Sequence, residues 1–359
     1  DLPSCATYDA VVICDHTSGY YGKYKLLPTL VQLQSDITSP FPPLDLMVHI
    51  GEISAASFND TIPAKEVWRV SEDGELRDPF KKLTTVFQMS EEMFFLHYGK
   101  DGCNRHVLID ECRELFGEIY EQIPELPFCN IWTAMQLSSR LPKGALFHMG
   151  VSNTRRCWNM FQLPESVESA CNVGCCGIDG CVSTLVGASL VNPDRLCYVV
   201  VGDLTFFYDL NSLGNHHIGT NLRVMLVNNG RGTEFRLGIH HCNVFGDDAD
   251  KYMAAAGHFG NKSPLLVKHY AEDLGFHYLS ATTKEEFMTA LSNFTNPQLS
   301  DHSMILEVFT DSKDESEALY LMSHIQSDAK GMVRSKLKDA VRNVAGEKGI
   351  NAIKKILKK

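Results

Sequence analysis

No run of about 18 uninterrupted apolar residues occurs in this 359-residue chain, so no segment is long enough to cross a bilayer as a helix. No internal repeat of about 20–50 residues is evident, which argues against a solenoid or propeller. The first residues, "DLPSCATYDA", lack a basic n-region, an apolar h-region and an initiator Met, and read as a fragment boundary rather than a natural start. Basic charge is scarce over most of the length. Ten Lys and Arg against two acids give residues 330–359 a net charge of +8, so a total of −11 leaves −19 on residues 1–329. An acidic body of that kind excludes nucleic acid as the expected partner. Cysteine is not short, at twelve, but no two are spaced as C-x2-C. They are scattered and include the adjacent pair Cys175-Cys176, which suits a reducing cytoplasm better than a disulfide framework. Cys171, Cys175, Cys176 and Cys181 accordingly read as small residues of a loop and core rather than as zinc ligands.

What is present is 44% hydrophobic residues in a chain long enough for two domains. Apolar runs bounded by turns alternate with helical patterns. "YDAVVICDHTSGY" is followed by strands expected at 45–52 and 65–74, then helices at 91–99 and 109–123. "PELPF" (124–128) reads as a linker and places a boundary after residue 125. Beyond it the pattern predicts strands at 144–150, 195–203, 221–229, 276–281 and 303–310. Helices are expected at 130–141, 153–162, 180–190, 205–214, 264–275 and 284–294. Continuous apolar strands alternating with helices predict an α/β fold with a doubly wound, mostly parallel sheet. Ligands of such sheets sit at the carboxyl ends of the strands.

At that position the stretch "VVVGDLTFFYDLNSLG" (199–214) ends a β-branched run on Gly202-Asp203. The next strand ends in Asn228-Asn229, with 24 residues between Asp203 and Asn228. That length fits one helix and one return strand, so the two strand ends can lie side by side. A carboxylate, an amide oxygen and a loop carbonyl would then converge. Hard oxygen ligands of this kind suit Mg²⁺ or Ca²⁺, and Mg²⁺ commonly keeps coordination positions for phosphate. The N–H groups that open the helix after Asp203 add partial positive charge for an anion. The plainer alternative is that Asp203 caps its helix and the Asn pair makes a turn.

Gly-Asp, then 24 to 27 residues, then Asn-Asn resembles the signature of thiamine diphosphate (ThDP) enzymes. The chain is most similar to the menaquinone-pathway synthases that make succinyl-enolpyruvyl-hydroxycyclohexene-carboxylate. The motifs are "GDLTFFYDLN" (202–211), "CGIDG" (176–180), "GVSNTRR" (150–156) and "VWRVSEDGELRDPF" (67–80), and the likeness covers roughly residues 8–312. It implies a ThDP-binding fold, with residues 1–125 as part of a middle, transhydrogenase-like α/β domain. Residues 126–312 would form the diphosphate-binding domain, and residues 313–359 a basic amphipathic helical tail. It implies Mg²⁺ held by Asp203, the Asn229 side chain and the Arg231 carbonyl, with the diphosphate against Gly202, Leu204 and Thr205. Phe235 would line the thiazolium pocket, and Gly177, Ile178 and Asp179 would lie beneath the cofactor. Ser152 and Arg156 would face substrate, Arg156 pairing with a carboxylate.

Three departures accompany the likeness. Val173 stands where the family has an Arg for the acidic substrate, Glu234 where it has Ile, and Arg231 where it has Gly. The Glu that activates the aminopyrimidine belongs, in that family, to a separate pyrimidine-binding domain. The expected catalytic group is therefore outside these residues, in another domain or a neighbouring subunit of a homo-oligomer. The expected function is a ThDP- and Mg²⁺-dependent lyase or transferase that decarboxylates a 2-oxo acid and joins the carbanion equivalent to an acceptor. Without its pyrimidine-binding domain the fragment is expected to be inactive. The alternatives are a simple 2-oxo acid decarboxylase or acetolactate-type synthase, and a non-catalytic or regulatory subunit. His216-His217 is expected at the surface, and His240-His241-Cys242 in loop packing or near the active site. In the tail, Val333, Leu337, Val341 and Val344 form one helical stripe. It would dock on the acidic body or a subunit, or else meet an anionic membrane surface or partner.

Overall fold

The computed structural model describes residues 8–39, 41–51, 62–98, 106–174, 177–238, 240–248, 251, 260, 262–333 and 336. In the N-terminal part, β1 (Val12–Ile13) pairs in parallel with β2 (Lys25–Leu26). Strands β3 (Leu44–His49), β4 (Ala64–Ser71) and β5 (Leu83–Gln88) form a second parallel sheet in the order β3-β4-β5. Helices Glu91–Tyr98 and Val107–Glu121 follow.

The larger sheet contains β6 (Leu146–Met149), β7 (Glu168–Cys171), β8 (Cys197–Gly202), β9 (Leu222–Asn228), β10 (His277–Ala281) and β11 (Met304–Phe309). All pairings are parallel, in the order β10-β11-β9-β8-β6-β7. Its central strands are buried on both faces and mostly apolar, with Arg223 in β9 and Glu307 in β11 as buried charged exceptions. Tyr198 and Val200 of β8 enter one core with Trp158, Phe287 and Phe294, whereas Cys197, Val199 and Val201 enter the other with Val182, Leu185 and Phe206. Alternate side chains of one strand thus bury against helices on opposite sides, which makes the sheet doubly wound.

The expected fold class holds, and the differences lie at sheet edges and helix ends. Strands β5 and β7 were not expected from the sequence. Both are edge strands with half-exposed patterns, so neither carries the apolar run that marks a buried strand. The helix expected over 205–214 divides into Asp203–Tyr208 and a 3₁₀ turn, Leu210–Gly214, with Asp209 at the break. The helix expected over 153–162 ends at Trp158. Within 124–128, Leu126 is buried in the core rather than solvated.

Helix Ser312–Ser323, capped by Asp311, buries Ala318, Leu319 and Met322. Gln34 holds its end: Nε2 donates to the Met322 carbonyl (2.8 Å), and Oε1 accepts from the amides of Ile325 and Gln326. Residues 312–323 are thus packed on the body. Val333 is exposed, and Leu337, Val341 and Val344 lie outside the described residues. Among the described residues no helix is long and apolar enough to cross a membrane.

Candidate cofactor and metal site

Strands β8 and β9 are hydrogen-bonded neighbours with Gly202 opposite Val227, so Asp203 and Asn228 leave the sheet side by side. Asp203 is 2% exposed and begins its helix. Its Oδ1 accepts from the Leu204 amide (2.8 Å) and its Oδ2 from the Gly230 amide (2.6 Å). The carboxylate therefore closes the β9 loop onto the β8 terminus. Gly230 has φ +82°, a left-handed conformation that glycine adopts without a Cβ penalty.

The two asparagines divide their tasks. Asn228 turns inward and donates Nδ2 to Glu307 Oε1 (2.7 Å), while Glu307 Oε2 accepts from the Tyr278 hydroxyl (2.7 Å). Burial raises the Glu307 pKa, and the nearby Asp203 charge adds to that. Asn229 is half-buried, and its Oδ1 accepts from the Arg231 amide at 3.4 Å. The Arg231 carbonyl accepts from the Thr233 amide (2.9 Å). One carboxylate and two neutral oxygens are a donor set suited to a hard cation that retains water or phosphate ligands. Leu204 is half-buried and Thr205 is buried in the same first turn.

Gly177, Ile178 and Asp179 lead to Gly180, which has φ +83° at the start of helix Cys181–Val191. Asp179 is exposed, and Gly177 and Ile178 are half-buried. Here sequence reasoning missed a group. Asp209 Oδ2 accepts from the Ser183 amide (2.6 Å), so a carboxylate beyond the helix that Asp203 begins caps the helix that follows this loop. The only sequence signal was a carboxylate inside an otherwise apolar stretch. Removing an N-terminal cap costs about 1 kcal/mol, with further loss where a carboxylate meets a helix N-terminus. Asp209→Ala is therefore expected to lower stability by about 1–2 kcal/mol and to raise amide exchange at Ser183, read by hydrogen exchange.

Ser152 lies at the carboxyl end of β6 with φ +60° and ψ −118°, a strained conformation for a residue with a side chain. It is exposed. Arg156 does not offer a free fork: Nη1 donates to Glu234 Oε2 (2.9 Å) and Nη2 to Glu234 Oε1 (2.7 Å). Burial opposes the guanidinium charge, but the Glu234 hydrogen bond and charge outweigh it and its pKa is raised. Glu234 lies just after the Asn229–Arg231 loop, in the 3₁₀ turn Thr233–Arg236, and Arg156 in the helix Asn153–Trp158. Phe235, in the same turn as Glu234, packs edge-on against His240, with ring centroids 5.2 Å apart. His216 and His217 are exposed, as expected. Cys171 is half-buried and Cys181 buried, whereas Cys175, Cys176 and the His241 side chain lie outside the described residues. Among the described residues no group of three or more His, Cys, Asp or Glu is placed to hold a metal ion.

A doubly wound parallel sheet, its β8 and β9 ends joined through Asp203, has the form of the ThDP-binding fold. No family model matches the chain. Among curated proteins, 2-succinyl-5-enolpyruvyl-6-hydroxy-3-cyclohexene-1-carboxylate synthase of Bacteroides fragilis is 33% identical over 263 residues, 72% of this chain and 45% of the relative. The synthase of the same name from Phocaeicola vulgatus is 32% identical over 265 residues, 72% and 44%. That from Flavobacterium psychrophilum is 30% identical over 248 residues, 67% and 42%. The chain belongs to the family of these ThDP-dependent synthases. It spans a little under half the length of the curated relatives it matches.

Proposed function

We propose that this chain supplies the diphosphate- and Mg²⁺-binding part of a ThDP-dependent carboligase that decarboxylates a 2-oxo acid and joins the resulting acyl carbanion equivalent to an acceptor. The observation that carries the reading is the Asp203 carboxylate bonded to the Gly230 amide. It ties the loop that carries Asn229 and Arg231 to the start of the helix at Asp203. The Asp203 carboxylate, the Asn229 side chain and the Arg231 carbonyl would hold Mg²⁺, and Leu204 and Thr205 would meet the diphosphate. When bound, the cofactor supplies the electron sink for decarboxylation. The chain orients the diphosphate, closes the sheet edge around it, and presents Phe235 and the Gly177–Asp179 loop as walls. Glu307, held by Asn228 and Tyr278, fixes the strand ends beneath the metal position. A pyrimidine-binding domain or subunit and a homo-oligomer belong to the proposal, as does a reducing, cytoplasmic setting that suits its buried free thiols. The test is carbon dioxide release from a 2-oxo acid by the whole protein with ThDP and Mg²⁺, with product analysis in the presence of an acceptor. Release with carbon–carbon bond formation supports the proposal, and absence of both overturns it.

One observation favours a second reading, a simple 2-oxo acid decarboxylase or acetolactate-type synthase. Arg156, the residue suited to a substrate carboxylate, is already satisfied by Glu234, and Val173 adds no cation. An acidic acceptor would have to displace an internal bidentate carboxylate. Glu234→Ile is expected to free Arg156 and to tighten binding of a dicarboxylate acceptor at least tenfold, read by titration calorimetry. Unchanged affinity would show that the pair does not select substrate.

A further inference from the structure

Away from the sheet edge, a cavity of about 370 Å³ opens between the β2 segment, helix Val107–Glu121 and the 162–165 loop. Its volume lies within the ordinary range for small-molecule sites, about 300–1,000 Å³. Three cations line it, Lys23, Lys25 and Arg113, against one exposed carboxylate, Glu165. None of the three cations is ion-paired with a described residue. Lys25 is half-buried, with Nζ 5.3 Å from the centre of the Tyr21 ring. Burial lowers its pKa, although the charges of Cys14 and Asp15 oppose the shift. Asp15 acts on it only at a distance, since its Oδ2 is bonded to Arg155 (3.1 Å) and its Oδ1 accepts from Thr17. The floor is apolar, formed by Leu26, Leu27 and Phe116.

The walls are fixed by hydrogen bonds across the chain. Tyr21 accepts from the Ser169 amide (2.9 Å), Tyr120 donates to the Met160 carbonyl, and His16 Nε2 meets the Phe161 carbonyl at 2.8 Å. A cation kept partly out of water without a direct ion pair is costly, and an anion brought to it recovers part of that cost. A concave wall carrying an excess of one charge also concentrates ions of the other. We propose that this cavity binds a small organic anion, with its carboxylate or phosphate on Lys25 and Arg113 and a compact apolar body on Phe116 and the leucines. The site is separate from the proposed diphosphate site and does not depend on it.

The test is titration calorimetry of the full chain at low salt with benzoate, phenyl phosphate and benzyl alcohol. One or both anions are expected to bind one to one and at least tenfold more tightly than the isosteric neutral alcohol. The preference between them identifies a carboxylate or a phosphate ester as the ligand. Lys25→Met with Arg113→Gln is expected to weaken the anion at least tenfold, while Asp203→Ala leaves it unchanged. Should Lys25→Met fail to fold, Arg113→Gln with Lys23→Met, both at exposed positions, is expected to weaken binding severalfold. Anion affinity no better than that of the alcohol would overturn the proposal. So would variants that bind like the parent, or binding lost in Asp203→Ala and kept in the cavity variants.

Discussion

Asp15→Ala is expected to lower the stability of the chain by about 3–5 kcal/mol, the usual cost of removing one partner from a buried ion pair. Asp15 and Arg155 meet at 3.1 Å with side chains only 9% and 10% exposed. Arg155 belongs to the helix that carries Arg156, directly after Ser152, so the pair ties the segment after β1 to that helix. The neighbouring His16 amide reinforces this by donating to Asn159 Oδ1 (2.9 Å). Arg155→Met on top of Asp15→Ala is expected to recover part of the loss, because no buried charge then remains at the position. Urea denaturation followed by circular dichroism measures both variants. A loss below about 1 kcal/mol in the single variant would contradict the assignment.

The second large effect is a pH dependence. Glu315 is 1% exposed, and burial raises its pKa from 4.5 to about 7. Its Oε1 accepts from the Asn130 amide (2.9 Å) and the Thr310 hydroxyl (2.9 Å), and so caps helix Asn130–Leu137. The folded state therefore holds the proton more tightly than the unfolded state. The stability contributed is fully present below pH 4.5, falls as pH rises towards 7, and is flat above that. A shift of that size corresponds to about 3 kcal/mol. His16 and His148, buried and lowered to about 4, act in the opposite direction over an overlapping window. Comparison with Glu315→Gln cancels them. The parent chain is expected to lose about 3 kcal/mol more than the Gln variant between pH 4.5 and 7.5. Parallel pH profiles would remove Glu315 as the cause.

What could be read in the sequence follows from how far apart partners lie along the chain. Asp203 and Asn229 are separated by one helix and one strand, so their spacing alone placed them at adjacent strand ends. The central strands were legible because burial on both faces makes them predominantly apolar, Arg223 and Glu307 apart. Edge strands β5 and β7 were not, since half of each faces solvent. Glu234 stood out as a departure, but its partner Arg156 lies 78 residues earlier, and no local pattern encodes that pairing. The same holds for Glu315 and Asn130, 185 residues apart, and for Asp209 and Ser183, which meet only because one helix packs beside another.

The central claim is that Asp203 anchors a metal–diphosphate site. Titration calorimetry of ThDP into the chain, with and without Mg²⁺, and into Asp203→Ala tests it most directly. The expected result is binding that requires Mg²⁺ in the parent chain and falls at least tenfold in the variant. Equal affinity in both, or binding indifferent to Mg²⁺, would contradict the assignment.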